Sequence, residues 1–185
     1  AARAVLKLYD RYRLATAGTP VSRNQNEAEP FHLATDAISD FLQVNANHFP
    51  ALEEAAERVR ADIDNAGDSF DAAIRAYLFN VFGLEVRLAS LPHGIVRQLD
   101  PARRHLLVSD LLPPETANFL LAQHLGQLAA EAEIGEIIAQ SDLPEGDAPL
   151  LARNVLSAYF AAALIMPYAP FLRACRDYRY DIDRL

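Results

Sequence analysis

The chain has 185 residues, 51% of them hydrophobic, with 17 lysines and arginines against 25 aspartates and glutamates and a formal net charge of -8. That length and apolar content suit one folded domain with a proper core and exclude general disorder. The acidic balance excludes a nucleic-acid face on this segment, because neutralising phosphates needs a basic surface, and the single cysteine, Cys175, excludes an internal disulfide framework and fits a reducing cytoplasm.

In chain order, residues 3–17 place Val5, Leu8, Tyr9 and Tyr12 at helical spacing, and Gly18-Thr19-Pro20 ends that helix. The start is amphipathic and basic, without the apolar core and cleavage site of a signal peptide. It opens without methionine inside a helix, so the sequence is expected to be an excerpt of a longer protein. Residues 21–30, "VSRNQNEAEP", are polar and aperiodic and read as a linker. The expected organisation is therefore a connecting helix and linker over 1–29 and a domain over 30–185.

A helix over 31–47 follows, with Phe31, Ile38, Phe41 and Leu42 on its apolar side. Pro50 opens the next, and "DSFDAAIRAYLFNVFG" forms a third with Asp68 or Ser69 as N-cap and Gly83 as its stop. The period then changes to two: "LEVRLASL", "GIVRQLD" and "HLLVSDLL" predict two or three short antiparallel strands, the last two separated by a turn at Asp100-Pro101. A long helix runs from Pro113-Pro114 to about Gln140, another spans 149–166 before Pro167, and a last one spans about 170–178. The apolar run at 159–166 is far short of the roughly 20 residues a membrane span needs. The expected fold is a mainly helical α+β domain, its helices packed around a small antiparallel sheet.

The long helix carries "NFLLAQHLGQLAA", an apolar stretch with Gln123, His124 and Gln127 in its middle. Zinc hydrolases place His-Glu-x-x-His at such a point, because imidazoles four residues apart share one helix face and hold one metal beside a glutamate base. Hairpin, this helix and a later helix ending "FAAALIMP" together resemble the ImmA/IrrE-type metallopeptidases. Laid on their motifs, the two histidine ligands become Gln123 and Gln127, the glutamate becomes His124, and the third ligand becomes Asn154. Neutral amides are poor zinc ligands, so the resemblance implies a zincin-like pseudo-peptidase without catalytic metal. A residual metal-dependent hydrolase, peptidase or thioesterase, is the alternative.

A more specific resemblance covers nearly the whole chain. "YFAAALIMPYAPFLRACRDYRYDIDRL" and "AISDFLQVNANHFPALEEAAERV" are similar to segments of the short-chain fatty acyl transcriptional regulators, helix-turn-helix proteins of the XRE type. The resemblance implies a central domain that senses coenzyme A or a short-chain acyl-coenzyme A as effector, with no catalytic cofactor. DNA would be met only through an N-terminal helix-turn-helix domain outside this segment, no membrane is involved, and a further C-terminal domain follows. The first helix would link the domains and contribute to a homodimer.

Candidate ligand residues are Gln123, His124, Gln127 and Asn154 on the helices, each of which also reads as an ordinary buried or surface residue. Coenzyme A phosphates call for arginine, and the candidates are Arg75, Arg87, Arg97, Arg103 and Arg104. Tyr77, Tyr159 and Tyr168 could stack on adenine or border an acyl channel, although their spacing also suits core packing. Cys175 alone cannot build an iron–sulfur site, which needs about four thiolates, but could join cysteines outside this segment.

Overall fold

In a computed structural model the chain is described over residues 25–64 and 69–181 and at Arg184. The first expected helix, over 3–17, lies outside the described residues. Helix α1 spans Gln25–Val44, so the last part of the expected linker is helical: Gln25, Glu27, Ala28 and Glu29 are good helix formers without the apolar periodicity that would have marked them. Its buried stripe is Ala34, Ile38 and Phe41, and Ala46 and Asn47, both at φ 52°, turn the chain into α2, Pro50–Asp64. Helix α3, Phe70–Phe82, is closed at both ends by local chemistry. The Ser69 side chain accepts from the Ala72 N–H at 3.3 Å, and Gly83 sits at φ 64°. Gly83 and Leu84 N–H then donate to the Phe79 and Leu78 carbonyls at 2.9 and 3.0 Å, a Schellman closure.

Three strands follow, β1 Glu85–Ala89, β2 Arg97–Asp100 and β3 His105–Ser109, in the order β1-β3-β2. β2 is antiparallel to β3, but β1 is parallel to it, so the sheet is mixed and not the antiparallel one expected. The reason lies in composition. β3, with Leu106 and Val108 wholly buried, takes the central position, and the loop at Pro92–Gly94 carries the polar β2 to the far edge. The register puts Val86, Leu88, Leu99, Leu106 and Val108 on one face and Glu85, Arg87, His105 and Asp100 on the other. Glu85 is bonded there to Arg87 at 3.0 Å and lies 3.4 Å from His105.

The long helix predicted to reach Gln140 is two: α4, Pro114–Ala129, and α5, Glu131–Ala139, broken at Ala130 (φ -118°, ψ 27°). Helices α6, Ala148–Ile165, and α7, Tyr168–Asp177, are separated by Pro167. By length and composition α6 is apolar enough to cross a membrane, and it is also the helix against which α1, α2, α4 and α5 pack. It carries the wholly buried Leu156, Phe160, Ala161 and Leu164.

A close approach in this packing is at Gly126 on α4. A Cβ placed there would lie 2.7 Å from Phe160 Cδ1 and 3.1 Å from Phe160 Cβ, and Phe160 is wholly buried with no room to retreat. Gly126→Ala is expected to cost about 1–3 kcal/mol through overpacking, although alanine is the better helix former. A urea midpoint equal to or above the wild-type value would contradict this.

Candidate functional site

Helix α4 lies deep enough that two of its polar side chains are inside the protein: Gln123 is 1% and His124 8% exposed. Gln123 points into the α4–α6 contact, where its Nε2 donates to the backbone carbonyl of Asn154 at 3.3 Å. The same carbonyl accepts from Ser157 Oγ at 2.9 Å. Gln123 and Asn154 thus meet through the backbone of Asn154, whose own residue surface is exposed. Gln127 lies half-buried one turn on, its Oε1 3.3 Å from His124 Nδ1.

An amide oxygen facing Nδ1 puts the imidazole proton on that nitrogen, leaving Nε2 as an acceptor. This Nε2 is buried and has no partner, as is Gln123 Oε1. Orphaned polar atoms of this kind cost roughly 1–3 kcal/mol each. Behind His124 stands Arg97 from β2, whose Nη1 donates to the Leu120 carbonyl at 2.7 Å and ties the sheet to α4. Burial first, and the Arg97 charge second, lower the His124 pKa from 6.5 to about 4 against the opposing bond from Gln127, so the imidazole is neutral at pH 7.

His124 lines an open cleft of about 440 Å³ between α4 and the sheet. Phe82 and Leu84 close one side, from the end of α3. Leu99, Pro101 and Ala102 come from β2 and the turn after it, and Leu128 sits one turn along α4 from His124. The remaining wall residue is Arg104, held at φ 55°. Its Nε and Nη2 donate to the Gly83 and Phe82 carbonyls at 3.2 and 2.6 Å, which places a cation at the negative end of α3.

Of the other arginines singled out in sequence, Arg75 pairs with Asp71 on its own helix at 2.9 Å. Arg87 pairs with Glu85 on the outer face of the sheet, and Arg103 with Asp100 at 3.6 Å. The structure therefore brings His124 and Arg104 to the cleft wall, with Arg97 beside His124, and leaves Arg75, Arg87 and Arg103 outside that wall. The tyrosines lie elsewhere. Tyr77 is half-buried beside Phe82, its pKa raised by burial and by Asp62. Tyr159 donates to Glu53 Oε1 at 2.7 Å and accepts from the Phe49 N–H at 3.4 Å, with burial and Glu53 holding its pKa well up. Tyr168 is exposed at the start of α7.

The wall residues Phe82, Leu84, Leu99, Pro101, Ala102 and Leu128 were not singled out in sequence. Aliphatic side chains at regular spacing read as core, and only Asp100-Pro101, as a turn, marked the place.

Gln123, Gln127 and Asn154 do not fit a catalytic metal ion. One amide is turned into the helix contact, one faces His124, and the third belongs to an exposed residue. Among the described residues no three of His, Cys, Asp and Glu come close enough to hold an ion.

A mainly helical domain with a small mixed sheet and a cleft between its edge strand and a buried helix is a zincin-like α+β fold. Residues 79–185 match the IrrE N-terminal-like domain, peptidase family M78, and the chain belongs to that family. It is similar to the HTH-type transcriptional regulators RamB and PrpR of Mycobacterium tuberculosis. RamB is 26% identical over 98% of this chain and 40% of that protein; PrpR is 30% identical over 81% and 31%. The propionyl-CoA carboxylase regulator of Cereibacter sphaeroides is 26% identical over 100% of this chain and 39% of its own length. A solved Mycobacterium tuberculosis transcriptional regulator superposes with a TM-score of 0.75 at 30% identity, over 81% of this chain and 46% of that one. The chain spans less than half the length of each of these relatives.

The neutral, buried His124 makes a pH prediction. Between about pH 6.5 and pH 4 the unfolded chain binds a proton at this residue that the folded chain refuses, so stability falls as pH falls through that window. The lost contribution is on the order of 3 kcal/mol. His124→Phe should flatten this part of the stability profile when urea unfolding is followed at pH 7 and pH 5; a slope unchanged by the substitution would refute the assignment.

Proposed function

We propose that this chain is the ligand-sensing part of a bacterial transcriptional regulator, and that its effector is a short-chain acyl-coenzyme A or coenzyme A itself. The observation that carries the reading is the cleft. Its walls are apolar, an arginine stands in its rim, and a buried imidazole whose Nε2 lacks a partner lies where the peptidase motif has its glutamate. The regulator names borne by the relatives, one of them tied to propionyl-CoA carboxylase, support it.

In this reading Gln123, Gln127 and Asn154 stand where metal ligands once stood, and the domain is a pseudo-enzyme that holds a metabolite without cutting it. Hydrolysis would need three ligands and an acidified water, which neutral amides do not supply. DNA contact belongs to a helix-turn-helix domain elsewhere in the protein, the setting is the cytoplasm, and the working state is a homodimer. Ligand occupancy would alter DNA binding only in so far as the two conformations of the regulator bind the effector differently.

Thermal unfolding in acetyl-, propionyl- and butyryl-coenzyme A tests the reading. A ligand at about 100 times its dissociation constant stabilises the folded chain by about 2.7 kcal/mol. A saturable rise in melting temperature with at least one ester is expected, and no shift with any of them would overturn the proposal.

A further inference from the structure

Strand β1 is an outer strand of the sheet, bonded to β3 on one side only. Its Glu85 N–H donates to the Arg104 carbonyl at 3.0 Å, and its Ala89 carbonyl accepts from the Asp110 N–H at 3.1 Å. Glu85, Arg87 and Ala89 therefore turn their backbone groups towards β3. In a parallel ladder the residues between them face the other way, which leaves the N–H and C=O groups of Val86 and Leu88 on the open edge. Among the described residues no strand lies there. Edges of this kind are normally blunted by proline, by a bulge or by charges that repel a second strand. Strand β1, Glu-Val-Arg-Leu-Ala, has no proline, pairs with β3 residue for residue, and carries two charges of opposite sign.

Those charges decide which partner the edge fits. The whole chain carries a formal charge of -8 and repels a second copy over most of its surface, whereas β1 is locally neutral. Two open antiparallel edges bond only where their outward residues stand opposite one another. For two copies of β1, pairing centred on Arg87 sets that arginine against its own copy, and pairing centred on Leu88 sets Arg87 against Ala89. Pairing centred on Val86 sets Glu85 of each copy against Arg87 of the other, and opposite charges across a strand pair attract. Apolar side chains are exposed at both ends of the strand: Leu111 lies beyond Ala89, and Phe79 and Val81 lie in the last turn of α3, before Glu85. Antiparallel pairing brings these unlike ends together.

We propose that β1 is the contact between two copies of this chain, paired antiparallel about a two-fold axis at Val86 so that their sheets join into one. The inference rests on the reading of the regulator as a homodimer and adds the surface and register through which it forms. Each Arg87 then stands between Glu85 of its own strand, 3.0 Å away, and Glu85 of the other copy. Leu88, 60% exposed in the single chain, comes to lie against Leu84 of the other copy. Leu84 is also a residue of the cleft wall, which puts the contact one side chain away from the cleft.

The test reverses one charge at a time in the whole chain. Glu85→Arg sets positive against positive on both sides of the axis, and Arg87→Glu sets negative against negative. Both side chains are exposed, so neither reversal disturbs the core. Sedimentation velocity should show a dimeric wild type and, for each variant, a dissociation constant raised on the order of tenfold. Mixed in equal amounts, the two variants should form a mixed dimer about as tight as the wild type, because each positive strand then faces a negative one. Native mass spectrometry separates that species from the two homodimers. Mixing does not restore the Glu85–Arg87 pair within either strand, so recovery reports the contact between copies. If the variants dimerise as the wild type does, or fail to recover on mixing, the β1 assignment is overturned while the homodimer reading stands. A monomeric wild type defeats the assignment and the homodimer reading together, and slow exchange of the Val86 and Leu88 amides in that monomer would give the edge to another segment of the same chain.

Discussion

Gly126 lets α4 and α6 approach until Phe160 lies against the backbone of α4, and much of the site follows from that contact. A Cβ there would collide with Phe160, and across the same helix contact Gln123 donates to the Asn154 carbonyl. Close packing makes polar side chains costly to bury, so each of the α4 groups has to be answered individually. Gln123 is half-answered by a backbone carbonyl, and His124 half-answered by Gln127. The halves left over are Gln123 Oε1, on the side of α4 that meets α6, and His124 Nε2, on the side that meets the sheet.

The sheet faces the same helix from the other side, and its composition explains its order. A strand with two wholly buried aliphatics belongs in the centre, and a strand reading Arg-Gln-Leu-Asp tolerates an edge. Placing β2 at the edge also opens the cleft, because among the described residues no further strand lies beyond Leu99 to cover the gap between it and Leu128. Arg97 reaches from this strand to the Leu120 carbonyl, so strand edge and helix are joined at one end of the gap.

What could be read in the sequence was what depends on near neighbours along the chain. Ser69 and Gly83 announced both ends of α3, and Pro167 the end of α6, because caps and breakers act within a turn. The polar residues of α4 stood out because the helix around them is apolar. Strand neighbours were not legible, since a period of two says which residues face inward but nothing about which strand lies alongside. The break at Ala130 had no glycine or proline to mark it, and the start of α1 at Gln25 lacked an apolar stripe. The cleft wall draws on residues from 82 to 128 that are ordinary aliphatics one by one; only their convergence in space distinguishes them from core.

Arginine partners were the least legible feature and have the most bearing on function. In a chain with a formal charge of -8, an arginine is expected to find a carboxylate, and Arg58, Arg60, Arg75, Arg87 and Arg103 do, with Glu133, Asp64, Asp71, Glu85 and Asp100. Such pairs sit mostly at the surface, contribute little to stability and cancel the charge that an anion would feel. Arg104 is bonded to carbonyls instead, which fix its guanidinium while leaving its formal charge in place. The helix end carries only a partial charge, so it offsets the guanidinium charge in part. An acidic protein can thus keep a cation without a carboxylate partner at one cleft, provided that cation is anchored by neutral groups.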